Sequence, residues 1–179
     1  SSDLVPFEPI QKPVPTAKAR PWTHKNYLIR PLATFDVTGR VLLTEDFGSG
    51  REAELSPKDL TLGWGTMSHN RYLKQLSLSH SGRFYQWQTQ EEGVDKDTVT
   101  RSSANMHFIP ANDTVAAILK GIRRDDLVRA RGYLVQVEAP DGWHWVSSQV
   151  RTDTGAGACE LIFTEQLEVL LSPPTPPGP

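Results

Sequence analysis

The residues best suited to covalent chemistry are a single cysteine, Cys159, and His107, which lies 52 positions before it. A thiol beside an imidazole can ionise and act as a nucleophile when a third group orients the imidazole. Glu160 or Asp153 could supply that third group. The pattern therefore allows a cysteine–histidine hydrolase or transferase whose candidate catalytic residues are Cys159, His107 and Glu160.

A structural role explains the same residues more simply. Free cysteines are among the most buried residue types, and His107 lies between Met106 and Phe108 in an apolar run. Cys159 and Glu160 would point to opposite faces of a strand, so one of them is expected in the core. The sequence thus favours a domain without a catalytic centre, and enzyme activity stays the alternative.

Two tryptophans, Trp143 and Trp145, form a second candidate site. They lie two positions apart in a segment with the character of a strand, so they share one face. Neighbouring indoles can stack on a sugar, a base or a proline, or they can close one end of a small barrel, since tryptophan is large and mostly buried. The ligand-binding residues predicted for this site are Trp143, Trp145, Tyr133, Ser147, Arg151 and Asp153.

A third candidate is a basic strip. Arg129 and Arg131 share a strand face and could bind a phosphate or a carboxylate together with Arg151. Acidic residues are interleaved with them, so a solvated face of mixed charge is the better interpretation. The glycine-rich run 152–157 lacks the Lys-Ser/Thr ending of a phosphate-binding loop and is expected to form a tight turn.

The overall composition limits the classes of partner. The 179 residues include 19 Lys and Arg against 21 Asp and Glu, a net charge of -2. That balance leaves no global basic surface for nucleic acid, and an oligonucleotide binder is only a third interpretation. The five histidines lack the spacing of zinc ligands, and one cysteine cannot build a multi-cysteine site, so we expect no metal and no cofactor.

The distribution of proline predicts where the domain lies. Five of the 14 prolines fall in residues 1–21 and five in 172–179. Proline-rich segments favour extended linkers or disordered tails. We therefore predict a linker over 1–21, one globular domain over 22–171, and a tail over 172–179.

Alternation and β-rich composition predict six or seven strands and two or three short helices. Helices are predicted to begin at Ser56, Ser68 and Asn112, and residues 90–103 are predicted to be a loop. A long strand with Gly132 in its middle, followed by a hairpin, is typical of small barrels. The expected fold is mainly β, an OB-like barrel, with a β-sandwich as the alternative. The strands are expected at 27–35, 37–43, 83–89, 105–109, 127–137, 143–150 and 158–170.

Five motifs carry a resemblance to known proteins: LSPxDLxLGWG at 55–65, SANMHxIPA at 103–111, GYLV at 132–135, GWxWxSS at 142–148 and RxDTGxGACE at 151–160. On these motifs the chain resembles a family of uncharacterised bacterial proteins that are exported or membrane-anchored. The resemblance implies a periplasmic or membrane-anchored place in the cell envelope, with the membrane reached only through an anchor before residue 1. It carries over no catalytic residue, and a cytoplasmic location stays the alternative.

The leading prediction of function is a non-catalytic binding or scaffold domain of the bacterial cell envelope. Its expected partner is an envelope protein or a glycan. The two alternatives are the cysteine–histidine enzyme and an OB-type oligonucleotide binder.

Overall fold

The computed structural model describes residues 5–150 and 159–174. Over these residues the chain is mainly β, with ten strands and four short α-helices. Eight strands form one large mixed sheet, and the other two form a separate hairpin. The predicted fold class, mainly β with short helices, is confirmed at this level, with one helix more than expected.

The elements have the following bounds. The strands are β1 (Ile10–Lys12), β2 (Trp22–His24), β3 (Tyr27–Asp46), β4 (Lys58–Gly63), β5 (Ser77–Ser81), β6 (Phe84–Gln88), β7 (Ser103–Pro110), β8 (Leu127–Glu138), β9 (His144–Val146) and β10 (Glu160–Leu171). The α-helices are α1 (Arg51–Leu55), α2 (Asn70–Leu73), α3 (Lys96–Arg101) and α4 (Asp113–Gly121).

The large sheet is organised around β3. Its strands follow the order β1-β3-β4-β7-β10-β8-β9, β2 also pairs with β3, and β3 pairs with β8 as well. Among the described strands, β7 and β10 are the parallel pair, and the other neighbours are antiparallel. β5 and β6 form the separate hairpin, which is inserted between β4 and β7.

The prediction of two strands over 27–35 and 37–43, with Pro31 at an edge, is wrong. Residues 27–46 form the single strand β3, and Pro31 lies opposite Val135 of β8, between the parts of β3 that pair with β2 and with β1 on its other side. The β3–β8 register shifts between Pro31 and Ala33. A proline within a sheet is tolerated at such an irregularity, because no amide hydrogen is required there.

The helix predicted to begin at Ser56 is also wrong. Residues 51–55 form α1, and the following Lys58–Gly63 is the fully buried strand β4. The loop predicted over 90–103 contains α3, which Asp95 caps by accepting a hydrogen bond from the Asp97 amide. Burial in the sheet overrode the helix-start signal at Ser56-Pro57. The helix α3 was not predicted because its aspartate cap, Asp95, was not recognised in the sequence.

Other predicted elements are confirmed. Asn112 caps α4 by accepting a hydrogen bond from the Val115 amide. β8 returns through a hairpin to β9. Gly132 lies where β8 passes β10 so closely that an added Cβ would lie 1.9 Å from the Phe163 carbonyl oxygen. The β8–β10 register shifts just beyond this point, between Thr164 and Gln166.

The sheet buries apolar side chains on both faces. Leu134 belongs to one cluster, whereas its neighbours Tyr133 and Val135 belong to the other, as strand alternation requires. The first cluster includes Val37, Leu60, Leu62, Met106, Phe108, Ile162 and, from α4, Val115 and Leu119. The second contains Ile29, Leu55, Ile109, Tyr133, Val135, Val137, Leu161 and Phe163.

The segment 5–21 differs from the linker expected there. Val5 is buried in the first core cluster, its amide donates to Ser68 Oγ at 3.1 Å, and β1 pairs with β3. The proline-rich start is therefore held against the domain by apolar contact and backbone hydrogen bonds. In the described part of the chain, no helix has the length and apolar character needed to cross a membrane.

Candidate functional site

A cluster of buried polar side chains lies on β4 and β7, beside the β5–β6 hairpin. Asp59 lies opposite His107 in the β4–β7 register, and Thr61 lies opposite Asn105. Residues two apart on a strand share a face, so all four side chains point to the same side of the sheet. Arg83, at the turn between β5 and β6, reaches Asp59. We call Asp59, Arg83, Asn105 and His107 the Asp59 cluster.

The Asp59 carboxylate is fully buried and is neutralised by its partners. Arg83 Nη1 donates to Oδ1 at 2.6 Å, and Asn105 Nδ2 donates to Oδ2 at 3.0 Å. His107 Nδ1 lies 2.9 Å from Oδ1, although the geometry is not that of a hydrogen bond. A buried charge is tolerated only with such partners, because its desolvation is costly.

The cluster also ties the hairpin to the sheet. Arg83 Nη2 donates to the Ser56 carbonyl at 2.9 Å, and the Arg83 carbonyl accepts from Asn105 Nδ2 at 2.9 Å. Asn105 Oδ1 accepts from Thr61 Oγ1 at 3.0 Å and lies 2.9 Å from His80 Nε2. Directional polar contacts therefore hold the hairpin to the large sheet at two places, the strand β5 and the turn between β5 and β6.

Cys159 borders this cluster with its thiol against the Arg83 carbonyl, 3.5 Å away. Burial raises the pKa of the Cys159 thiol to about 12, and the nearby charges of Glu160 and Asp59 act in the same direction. The thiol is thus protonated at neutral pH, unlike an activated nucleophile. Over the described residues, no hydrogen bond joins Cys159 to His107, whose contacts are with Asp59 and Trp145.

Glu160, the third group considered for His107, is buried and lies next to Met106 in the β7–β10 register. Asp59 is the carboxylate at His107. Sequence reasoning missed Asp59, Arg83 and Asn105, although polar residues inside the apolar runs of β4 and β7 were a usable signal.

The two tryptophans lie side by side, as their spacing predicted. The ring centroids of Trp143 and Trp145 are 6.3 Å apart, and both side chains are half-buried. The Arg51 guanidinium lies 4.9 Å from the Trp143 ring, and the Arg83 guanidinium lies 5.3 Å from the Trp145 ring. We call Trp143, Trp145, Arg51 and Asp141 the tryptophan surface.

An ion pair holds the tryptophan surface together. Arg51 donates to both oxygens of Asp141, at 3.1 and 2.9 Å. The hydrogen bond from Arg51 lowers the pKa of Asp141 to about 2, and the Trp143 backbone amide contributes in the same direction. The pair links α1, in the loop after β3, to the turn between β8 and β9.

Other residues predicted for this site serve packing in the structure. Tyr133 is buried in the second core cluster with its ring edge-on to Trp22 at 5.6 Å. Ser147 Oγ accepts from the Leu161 amide at 2.9 Å and donates to the Ser148 carbonyl at 2.7 Å. The predicted site residues Arg151 and Asp153, and the glycine-rich run 152–157, lie outside the described residues.

The basic strip is electrostatically compensated. Arg129 donates to Asp36 at 2.8 Å, and Arg131 lies 3.7 Å from Glu168. This is the mixed-charge face favoured by the sequence. Over residues 5–150 and 159–174, no group of three or more His, Cys, Asp or Glu side chains is arranged to hold a metal ion.

Comparisons with protein-family models, with curated proteins and with solved structures found no match to this chain. The assignment of a function therefore depends on the geometry of the Asp59 cluster and of the tryptophan surface.

Proposed function

We propose that the chain is a non-catalytic binding domain that takes a neutral glycan on the tryptophan surface. The observation that carries this proposal is the pair of half-buried indoles, Trp143 and Trp145, with centroids 6.3 Å apart. Neighbouring indoles offer apolar faces to the flat CH-rich side of a sugar ring together with N–H donors for its hydroxyl groups.

We further propose that the fold is an OB-like barrel. The strands β3, β4, β7, β10 and β8 pair in succession, and β8 pairs again with β3, which supports a barrel over a sandwich. Ligands of OB barrels bind near the first and last connecting loops. Here those loops contain α1 with Arg51 and the β9 segment with Trp143 and Trp145, which the Arg51–Asp141 pair brings together.

The charges at the site favour a neutral ligand over a phosphate backbone. Each arginine that contacts an indole is paired with a carboxylate: Arg51 with Asp141, and Arg83 with Asp59. Binding of nucleic acid depends on uncompensated cations that replace counterions. In the described part of the chain, neither indole nitrogen of this surface has a hydrogen-bond partner that would compete with a ligand.

The place of action in this proposal is the bacterial cell envelope, either periplasmic or membrane-anchored. Its support is the resemblance of five motifs to exported or anchored bacterial proteins. A neutral glycan is a partner that such a location offers to a binding domain.

A titration with soluble N-acetylglucosamine oligomers, followed by tryptophan indole signals in NMR spectra, tests the proposal. We expect shifts confined to Trp143 and Trp145. Trp143→Ala and Trp145→Ala should each weaken binding at least about fivefold, the equivalent of one lost aromatic contact. Trp87→Phe, in β6 and packed against the separate cluster of Leu42, Met67 and Val99, is the matched control and should leave the affinity unchanged.

The proposal fails if no neutral oligosaccharide from a panel of envelope-type glycans shifts these two signals. It also fails if the double variant Trp143→Ala/Trp145→Ala, shown to be folded by circular dichroism, binds every ligand as the parent does.

A further inference from the structure

The backbone gives the Trp145 indole of the tryptophan surface little support of its own. Trp145 is the middle residue of β9, a strand of three residues that pairs, among the described strands, with β8. A short strand at the end of a sheet has few backbone contacts to restrain it. The orientation of the Trp145 ring therefore depends on the side chains that pack against it.

Arg83 is one of these side chains, and its guanidinium contacts two aromatic rings. The Cζ atom lies 3.6 Å from the centroid of the Phe47 ring and 5.3 Å from the centroid of the Trp145 ring. Both distances are within the range of cation–π attraction. A planar guanidinium also stacks on aromatic rings, which the ammonium group of a lysine does not. Arg83 thus links Trp145 to Phe47, the residue that follows β3.

Polar contacts fix the guanidinium of Arg83 in this position. Nη1 donates to Asp59 Oδ1 at 2.6 Å, Nη2 donates to the Ser56 carbonyl at 2.9 Å, and Nε lies 3.7 Å from Glu52 Oε2. The side chain is 13% exposed. The donors of a guanidinium form a rigid fork, so contacts at three of its nitrogens leave the group little freedom to rotate.

A second support of Trp145 depends on the same carboxylate. The His107 ring lies 5.1 Å from the Trp145 ring, at an interplanar angle of 37°. His107 Nδ1 and Arg83 Nη1 both approach Asp59 Oδ1, at 2.9 and 2.6 Å. The Trp145 ring thus packs on two side chains that contact one fully buried carboxylate oxygen.

Trp143 is supported by more exposed groups. Its ring lies 5.9 Å from the Tyr27 ring and 4.9 Å from the Arg51 guanidinium. Arg51 is paired with Asp141, and the two side chains are 39% and 59% exposed. Exposed ion pairs are weak and are screened by salt. Trp143 is therefore the more adaptable of the two indoles, and Trp145 is the more rigid.

We propose that Arg83 is a positioning residue of the glycan site and holds the Trp145 ring as a preformed platform for the ligand. This role, which rests on the glycan-binding function proposed above, belongs to a residue outside the four that define the tryptophan surface. A ring that is already fixed loses little conformational freedom when a ligand binds, so the affinity is higher. Arg83 raises the affinity by acting through Trp145.

The variant Arg83→Lys separates positioning from a purely structural role. Lysine keeps a positive charge beside Asp59 but lacks the planar group that packs on Trp145. We expect the affinity for soluble N-acetylglucosamine oligomers to fall about 2- to 10-fold, the cost of ordering one side chain on binding. In the free protein, NMR relaxation of the Trp145 indole N–H should show increased motion, whereas that of Trp143 should not change.

Two further variants complete the test. Phe47→Leu removes the aromatic ring beside Arg83 and leaves the polar contacts of Arg83 in place, so it should loosen the Trp145 indole and weaken binding in the same direction. Arg129→Lys is the matched control, because it makes the same exchange eight positions along β8 from Val137, the residue that pairs with Trp145. It should leave the affinity and the relaxation of both indoles unchanged.

Failure of this role and failure of the proposed function give different results. If the parent binds the oligomers and Arg83→Lys binds them equally well, with unchanged relaxation of the Trp145 indole, the positioning role is wrong and the glycan site stands. If the parent binds no glycan, the proposed function fails and the role of Arg83 in binding fails with it. Should Arg83→Lys not fold, the affinity and the Trp145 relaxation of Phe47→Leu decide between the two results.

Discussion

Asp59 and Arg83 form a close ion pair, 2.6 Å between Oδ1 and Nη1, that joins the large sheet to the turn of the inserted hairpin. The carboxylate is fully buried, and the guanidinium is covered on one side by the Phe47 ring, 3.6 Å from its centroid. The pair is thus shielded from solvent and is strong because its surroundings are of low dielectric constant. The Asp59 carboxylate is therefore one of several polar groups that attach the hairpin to the sheet, and it is the most deeply buried ion-pair partner among them.

Replacement of this carboxylate should be costly. We expect Asp59→Asn to lower the free energy of unfolding by about 3 kcal/mol, because the variant breaks the buried ion pair and leaves the Arg83 cation with only the half-exposed Glu52 carboxylate, 3.7 Å from its Nε. Urea denaturation followed by fluorescence measures the change. Asp36→Asn, which breaks the more exposed pair with Arg129, is the matched control and should destabilise the protein much less, because solvent screens that pair. Equal effects of the two substitutions would contradict this role of Asp59.

The reactivity of Cys159 is the sharpest test of the enzyme alternative. Because burial raises the pKa of the thiol to about 12, alkylation by iodoacetamide should be slow in the native protein throughout pH 5–9. It should become fast once denaturant exposes the thiol. Rapid native labelling with a midpoint below the ordinary thiol pKa of about 8.5 would instead support an activated cysteine and direct attention to His107→Ala.

Acid titration should detect the effect of the Arg51–Asp141 pair on the pKa of Asp141. The pKa of Asp141 is about 2, below its ordinary value, so the carboxylate stays ionised as the pH falls until it reaches that range. The stabilisation it gives is present above the unfolded pKa and is lost as the pH falls through about 2. NMR titration of the Asp141 carboxyl carbon measures the midpoint.

Removal of the cation should shift that midpoint upward. In Arg51→Gln we expect the pKa of Asp141 to rise toward the ordinary aspartate value of about 3.9, because the charged hydrogen-bond donor is lost. Arg30→Gln, which removes the partner of Glu138, is the control and should leave Asp141 unchanged. An unchanged midpoint in Arg51→Gln would show that the ion pair does not form in solution.

Alanine substitutions at Gly132 and Gly121 test how closely β8 and β10 approach each other. Gly132→Ala should destabilise the protein by about 3 kcal/mol, because its Cβ would lie 1.9 Å from the Phe163 carbonyl oxygen and the backbone of β8 or β10 must move. Gly121→Ala, at the end of α4, has no atom within 4 Å of the new Cβ. It should be neutral or stabilise by up to about 1 kcal/mol. Thermal denaturation of the two variants compares them directly, and equal melting temperatures would refute the close approach at Gly132.

The sequence was most informative where a local pattern and the tertiary environment agree. The cap at Asn112, the hairpin from β8 to β9 and the glycine at position 132 all followed from short-range chemistry. The strand β4 did not, because Ser56-Pro57 has the composition of a helix start. Its preference was overridden by burial of all six residues of β4 in the sheet.

Only part of the candidate site could be predicted from the sequence. Trp143 and Trp145 could be paired, because strand alternation is a local rule. The Asp59 cluster could not be assembled, because Asp59, Arg83 and Asn105 come from three elements whose neighbourhood is set by the sheet order. Polar residues in buried strands signal such a cluster, but the partner of each becomes known only with the register.

The length of β3 also bears on how the chain is made. Most of its pairing is with β8, and a pair such as Asp36 and Arg131 is 95 residues apart in sequence. At a synthesis rate of about 5–20 residues per second, β3 waits about 5–20 seconds for that partner to be translated. During this interval its apolar face and its unpaired backbone edge are open to other chains. Ribosome pausing between the codons for β3 and β8 should therefore lower the soluble yield of the protein.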